Sequence, residues 1–513
     1  MIHRGKNPFT ALITLIFILI FHLSAAAEPE RRYEVIIVGA GIAGLSAAWE
    51  LSKHGVSSAV IELSQEYGAA ARMSEGGISI VGTPEQEQGG EPDSPELAFA
   101  DFVNYGRDED GPGPNLEWVR YYVNESRHEI YDWLIGLGVA FEKKVVLMPG
   151  NSVPRWHKVV GKGKSLMEPI YRDCIEMGKV TFIMGTKVIS LMREGNRITG
   201  VRAEHTRGGT PVDYYASEVI LATGGFQSNL KMVHQYWPKD LPYPERFLTG
   251  GWIHATGSGH EMAQAVGGKL TNMQYQLNYP TGLPNPSGMR GINAYNDFSI
   301  WVNKTGRRFM RESRDTRVTF PEVLKQPGST YWAIFDSASR EHLHISGWTR
   351  PIIEKGFFEN PQMKRYLKSA DTISDLARAA GLPPDVLEET LKRWNKMVEA
   401  KNDEDFGRIG SVKTPWGNPP KIETPPFYAV QFFPMTRKSM GGVAIDMSCR
   451  VLDGAGKPIP GLYAVGELTG LAGVNGKAST EGTFLGACIL TGRVAGRAIA
   501  SERDLQRKKD LPK

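Results

Sequence analysis

Residues 33–62 constrain this chain more than any other stretch. Tyr33-Glu-Val-Ile-Ile-Val38 holds a short apolar, β-branched run that reads as a buried parallel strand. It feeds Gly39-Ala-Gly41-Ile-Ala-Gly44 and then a helix of small residues, Leu45 to Ser52. Each glycine has its own duty: Gly39 makes the tight turn, Gly41 lets backbone approach a diphosphate, and Gly44 lets helix pack on strand. The diphosphate would sit at the helix N-terminus, where unpaired N–H groups and the helix dipole favour negative charge. A second strand, Ser58 to Ile61, closes the βαβ unit, and Glu62 at its end is placed to accept the hydroxyls of an adenosine ribose. Strand, helix, second strand and acid in one register predict dinucleotide binding.

The 513 residues leave room for two to four domains. Sixty basic against 56 acidic residues give a net charge of +4, without a basic stripe interleaved with aromatics; nucleic acid is not an expected partner. Cys174, Cys449 and Cys488 are too isolated for a disulfide framework, an attached haem or a metal site. No metal is expected, and any redox centre has to be carried by the dinucleotide. At the N-terminus, Arg4 and Lys6 precede an apolar run of 15 residues from Phe9 to Leu23, followed by Ala25-Ala26-Ala27. That run is shorter than the roughly 20 residues a spanning helix needs. Residues 1–27 therefore read as a signal peptide for an exported, periplasmic or secreted protein, with an uncleaved membrane anchor as the alternative.

Further along, Tyr67 to Ile78 is a loop rich in small residues, a composition that suits close backbone approach to a flat ligand. Helices are predicted from Pro95 to Asn104 and from Asn115 to Gly136, and strands at Val180–Met184, Val188–Met192 and Ile198–Ala203. Glu218-Val-Ile-Leu-Ala-Thr-Gly-Gly-Phe226 is an apolar strand returning to the ligand edge of the sheet, and Ala255-Thr-Gly257-Ser258-Gly259-His260 opens another helix at a glycine turn. From Tyr279 to Pro425 aromatics, Pro and Asn become frequent, the texture of an inserted second domain. The nucleotide pattern returns at Pro460–Gly470 and ends in a small-residue helix from Thr483 to Ser501.

Six motifs occur in order: Gly39–Gly44 with Glu62, Glu75-Gly-Gly77, Asp93-Ser-Pro-Glu96, Ala222-Thr-Gly-Gly-Phe226, Gly441-Gly-Val443 and Gly461-Leu-Tyr-Ala-Val-Gly-Glu467. Together they resemble the flavoprotein subunits of the fumarate reductase/succinate dehydrogenase family, especially its soluble exported members, with ketosteroid dehydrogenases as cousins. The resemblance implies an α/β fold in which a Rossmann-like FAD-binding domain (33–278 and 426–500) is interrupted by an α+β capping domain (279–425), followed by a tail (501–513). It implies FAD contacts at Gly39, Gly41, Gly44, Glu62, Ala70, Ala71, Gly76, Gly77, Val188, Ser258, Glu467, Phe484 and Leu485. The His-Thr segment that anchors flavin covalently in the respiratory subunits is not evident, so the FAD is expected to be non-covalent.

The substrate side departs from the fumarate reductases. Their substrate His ahead of Met-Gly-Gly is matched by Arg437-Lys438-Ser439, their Arg ahead of the last helix by Ser479 with Lys477 nearby, and their His before Pro-Thr by Tyr279. Gly306-Arg-Arg-Phe309 leads to Arg314 and Arg317, neither quite in the register of the family's proton-donating Arg. Fumarate is thus not the expected substrate. The candidate catalytic set is Arg314, Arg317, Arg437, Lys438 and Tyr279, with Lys477, His157, Tyr295 and Asp297 as weaker candidates. Guanidinium groups clamp carboxylates, and a cation beside a carbonyl stabilises enolate-like charge.

The leading expectation is reduction of an activated C=C in an α,β-unsaturated carboxylate or related enone, with electrons from an external haem protein, quinone or small carrier. The reverse reaction, α,β-dehydrogenation of a carboxylate or cyclic ketone, is the alternative. A non-catalytic FAD-binding sensor is the reading from another class.

Overall fold

The computed structural model describes residues 31–510 except 287, 289 and 410–417. The apolar run from Phe9 to Leu23 lies outside the described residues.

In chain order the elements that build the site are β1 (Arg32–Val38), α1 (Ile42–Lys53), β2 (Ser58–Ile61), β3 (Val180–Ile183) and β4 (Val212–Leu221). They are followed by β5 (Gln276–Pro284), β6 (Tyr331–Asp336), β7 (Phe427–Ser439), β8 (Pro458–Ala464) and α2 (Thr483–Asp510). Strands β8, β4, β1, β2 and β3 pair in that order, all parallel. Val35 to Val38 is buried on both faces, as a β-branched strand at the centre of a parallel sheet has to be. An antiparallel pair, Thr186–Glu194 and Arg197–His205, leans on β4 at one edge.

Helix α1 is buried from Ile42 to Ser52 because it lies against both the sheet and α2. A Cβ on Gly44 would fall 2.0 Å from the Gly39 carbonyl oxygen, and one on Gly492 would fall 2.3 Å from that of Ala43. The small residues therefore bring strand, α1 and α2 into near backbone contact. Glu50 ties the two helices, accepting from Arg493 Nε at 2.8 Å and Arg497 Nη1 at 3.4 Å. By length and composition α2 would pass for a membrane span, but 78% of its apolar window is buried in the protein; it is a core helix.

The second sheet is organised on β7. Its first half pairs antiparallel with β6 (Phe432 opposite Tyr331, Phe427 opposite Asp336), and its second half with β5, where Lys438 lies opposite Leu277 and Met435 opposite Tyr279. This one strand begins just after position 425 and carries Arg437-Lys438-Ser439 out of the second sheet towards the first. Ser439 makes the junction: its Oγ accepts from Phe226 N at 3.1 Å, and its N–H donates to Glu467 Oε1 at 2.9 Å.

Asp93-Ser-Pro-Glu96 proves to be a helix start and an ion-pair anchor at once. Ser94 Oγ accepts from Leu97 N at 3.2 Å, capping the helix Pro95–Gly106. Asp93 accepts from Nε and Nη2 of Arg155, both at 2.7 Å. The Arg155 and Asp93 side chains have no solvent exposure. Removing one partner of such a pair strands the other's charge, at a cost of about 3–5 kcal/mol. Arg155→Met is expected to lose stability on that scale in denaturant unfolding of the holoprotein; a loss below about 1 kcal/mol would show that Asp93 finds another partner.

Candidate active site

Parallel strands deliver their ligands' contacts at their C-terminal edge, and the first cluster forms there. A Cβ on Gly39 (φ +111°) would meet the Ala222 carbonyl oxygen at 2.5 Å, whereas one on Gly41 would meet nothing within 4 Å. The turn thus presents open backbone at Gly41. Glu62 is fixed at the end of β2, its carboxylate accepting from Ala40 N at 2.7 Å and Ser64 N at 2.8 Å. In the loop that follows, Ala70 is exposed and Ala71 buried. Gly76 (φ +73°) backs onto Lys162, and Gly77 onto the ring of Trp156. Val188 is buried opposite Ala203 in the antiparallel pair. Ser258 opens the helix Ser258–Ala265 behind Gly257 in the left-handed conformation.

The donors and the space suit FAD. Gly41 leaves the room a diphosphate needs, and Glu62 is held rigid where a ribose would meet it. Thr223 Oγ1 at the end of β4 and Asn475 Nδ2 ahead of α2 are buried without a hydrogen-bond partner among the described residues. A bound polar group would satisfy both.

The second cluster joins β5, β7 and the start of α2. Lys438 Nζ stands 3.8 Å from the centroid of the Phe484 ring, and Phe484 and Leu485 are buried in the first turn of α2. Burial and the neighbouring Arg437 guanidinium push the Lys438 ammonium down to about 8, against the pull of Glu467 and Glu481. Arg437 lies 5.9 Å from the centroid of the Tyr279 ring. It donates to the Gly250 carbonyl from Nη1 at 3.3 Å, while its Nε is buried without a hydrogen-bond partner among the described residues. The Tyr279 hydroxyl donates to Glu481 Oε1 at 2.9 Å, and burial followed by the Glu481 charge holds this phenol well above its usual range. Burial also raises the Glu467 carboxyl, although the Ser439 N–H and both cations oppose the shift.

Tyr279, Arg437 and Lys438 are thus brought together, with Glu467, Phe484 and Leu485 beside them. Arg314 sits in a different group, donating bidentately to Asp297 and lying 3.8 Å from the centroid of the Tyr295 ring. Arg317 is exposed and donates to the Tyr105 carbonyl at 2.9 Å. Lys477 is a half-exposed surface cation paired with Asp108 at 3.1 Å and Asp240 at 3.6 Å. His157 is fully buried between Thr83 Oγ1 at 2.6 Å and the Arg155 carbonyl at 2.7 Å, and burial lowers its pKa; it is a packing residue.

Glu481 in the second cluster and Tyr105, which feels its charge from the neighbouring group around Asp315, escape sequence reasoning. Glu481 sits two residues before α2, where an acid reads as a helix-start residue. Tyr105, whose hydroxyl donates to Asp315 at 2.8 Å, is pushed up by burial, then Asp315, then Glu481. Neither has a motif around it.

Residues 34–485 match the model of the FAD binding domain family. The chain belongs to that family. It is an FAD-dependent oxidoreductase of the kind acting on CH–CH groups. It is similar to a KsdD-like steroid dehydrogenase of Mycobacterium tuberculosis, at 29% identity over 91% of this chain and 96% of that one. It is also 29% identical to the fumarate reductase (cytochrome) of Shewanella frigidimarina, over 93% of this chain and 78% of that one. Among solved structures, the open conformation of a flavocytochrome c3 fumarate reductase superposes with a TM-score of 0.74 at 27% identity, covering 97% of this chain and 81% of that one.

Proposed function

We propose that this chain is an exported enzyme that reduces a carbon–carbon double bond conjugated to a carbonyl or carboxyl group, with fumarate itself not the substrate. The observation that carries the reading is the meeting of Tyr279, Arg437 and Lys438 beside Phe484 at the start of α2. FAD, when bound, supplies the hydride for the β-carbon. The unpartnered Nε of Arg437 and the Lys438 ammonium donate to the substrate's carbonyl oxygen, where negative charge develops. The Tyr279 hydroxyl provides the proton for the α-carbon. The second sheet acts as the cap over this site, and electrons arrive from an external haem protein, quinone or small carrier.

The reverse reaction is favoured by one contact. Because the Tyr279 hydroxyl donates to a carboxylate, Glu481 can take its proton, an arrangement that serves α-proton removal in a dehydrogenase. Similarity to a KsdD-like steroid dehydrogenase over nearly its whole length supports the same alternative.

The test uses the chain from Glu28, loaded with FAD and reduced anaerobically, with flavin reoxidation followed on addition of fumarate, urocanate, cinnamate, itaconate, aconitate or a cyclic enone. Rapid reoxidation by one of the acceptors other than fumarate is expected. Silence from all of them, with turnover of a saturated ketone by the oxidised enzyme, would assign the dehydrogenase instead. The rate with the acceptor is expected to fall as pH rises through about 8, where Lys438 loses its proton. Lys438→Arg, whose guanidinium stays charged, should move that alkaline limb upward; an unmoved limb would take Lys438 out of the reaction.

A further inference from the structure

We infer that Glu481 sets the substrate class, excluding carboxylates and selecting a neutral conjugated carbonyl compound. The inference deepens the proposed function and rests on its placing of the substrate at Tyr279, Arg437 and Lys438.

Two cations meet in this cluster, Arg437 and Lys438, and two carboxylates act on them, Glu467 and Glu481. Glu467 is fixed by the Ser439 N–H at 2.9 Å, and Glu481 by the Tyr279 hydroxyl at 2.9 Å. Counted with all four groups ionised, the cluster has no net formal charge before any substrate arrives. A substrate carboxylate would add an unmatched negative charge in a desolvated setting, the costly case. A ketone oxygen would accept from the unpartnered Arg437 Nε and from Lys438 without altering that balance.

Of the other cations nearby in sequence, Arg314 holds Asp297 and Lys477 holds Asp108, while Arg317 is exposed to solvent and donates to a backbone carbonyl. Ser479 is neutral, its hydroxyl donating to the Thr480 carbonyl at 3.3 Å. Glu481 also lies two residues before the start of α2. The remaining walls, Phe484, Leu485 and the Tyr279 ring, are apolar or aromatic and suit the hydrocarbon part of a ketone.

The experiment compares two probes that differ only in this respect: cinnamate, and 4-phenyl-3-buten-2-one, in which a methyl ketone replaces the carboxylate. Binding to the oxidised holoenzyme at pH 7 is read from perturbation of the flavin absorbance, so no turnover is needed. Failure of the reductase reading therefore remains separate from failure of this one. The wild-type protein is expected to bind the ketone at least tenfold more tightly than cinnamate. Glu481→Gln should tighten cinnamate about tenfold and leave the ketone within about threefold, while Glu481→Asp should keep the wild-type preference. Equal or tighter binding of cinnamate by the wild-type protein would overturn the inference, as would an unchanged ratio in Glu481→Gln or the absence of binding by both probes. Where Glu481→Gln fails to fold, the wild-type ratio decides alone.

Discussion

Gly41→Val is expected to give a folded protein that retains little FAD, whereas Gly44→Val is expected to give no folded protein. The two glycines stand three residues apart in one fingerprint, yet the space around them differs completely. Gly41 has φ −72° and ψ 178°, extended backbone that any residue adopts, and its Cβ direction is open to 4 Å. A Cβ added there meets nothing within 4 Å, and the branches of a valine would extend from it into the room a diphosphate has to enter. Overpacking costs about 1–3 kcal/mol, which is roughly 10–100-fold in affinity, and the lost approach of backbone N–H groups to phosphate adds to it. At Gly44 even one methyl group would lie 2.0 Å from the Gly39 carbonyl oxygen and 3.3 Å from Ala222 Cβ. Backbone of β1 and α1 would have to part, at the centre of the first sheet. Far-UV circular dichroism and the flavin-to-protein absorbance ratio separate the cases. A Gly41→Val protein that keeps its FAD would remove the diphosphate from this turn, and a well-folded Gly44→Val protein would mean that α1 can shift without loss.

What the sequence made legible follows from how local each signal is. Strand β1, helix α1 and strand β2 lie within 31 residues, and their apolar period, glycine spacing and terminal acid are all readable in one window. The helix starts are readable for the same reason: Ser94 and Asn115 each cap the helix that follows them. Long-range pairing was not readable. Nothing in Phe427–Ser439 says that one half pairs with β6 and the other with β5, so a boundary drawn at 425 leaves that strand with the flavin side. The helix expected over 115–136 is interrupted by a π-helical turn at Arg127–Asp132, where Ser126 Oγ accepts from Val81 N at 3.2 Å. The last helix was expected to stop at Ser501 but runs to Asp510, with Arg503 paired to Glu34 at 2.6 Å across the molecule. The same limit governs the site. Arg314 and Arg437 are alike as letters; only the fold reveals that one is held by Asp297 and the other lies beside Tyr279.

Lys438→Met is expected to keep the fold and the FAD while lowering turnover by about 10²–10³-fold, the usual cost of removing one donor at a developing oxyanion. Three features make the substitution mild for the protein. Among the described residues the ammonium makes no direct ion pair, and Glu467 and Glu481, which act on it at longer range, keep their hydrogen bonds to Ser439 and Tyr279 when it is lost. Arg437, its like-charged neighbour, and burial both already disfavour the charge. The thioether fills a similar volume and can replace the contact of Nζ with the Phe484 ring by a sulfur–aromatic one. Thermal stability should therefore be equal or slightly higher, which separates a chemical role from a structural one. The division of the loss is informative as well. A cation that met the substrate equally in ground and transition states would raise KM alone, whereas one needed when charge develops on the carbonyl oxygen lowers kcat. The fall should appear in kcat, measured with the acceptor that reoxidises the wild-type flavin. If kcat stays within about threefold, the developing charge is carried by Arg437 instead, and Arg437→Met becomes the variant in which the loss has to appear.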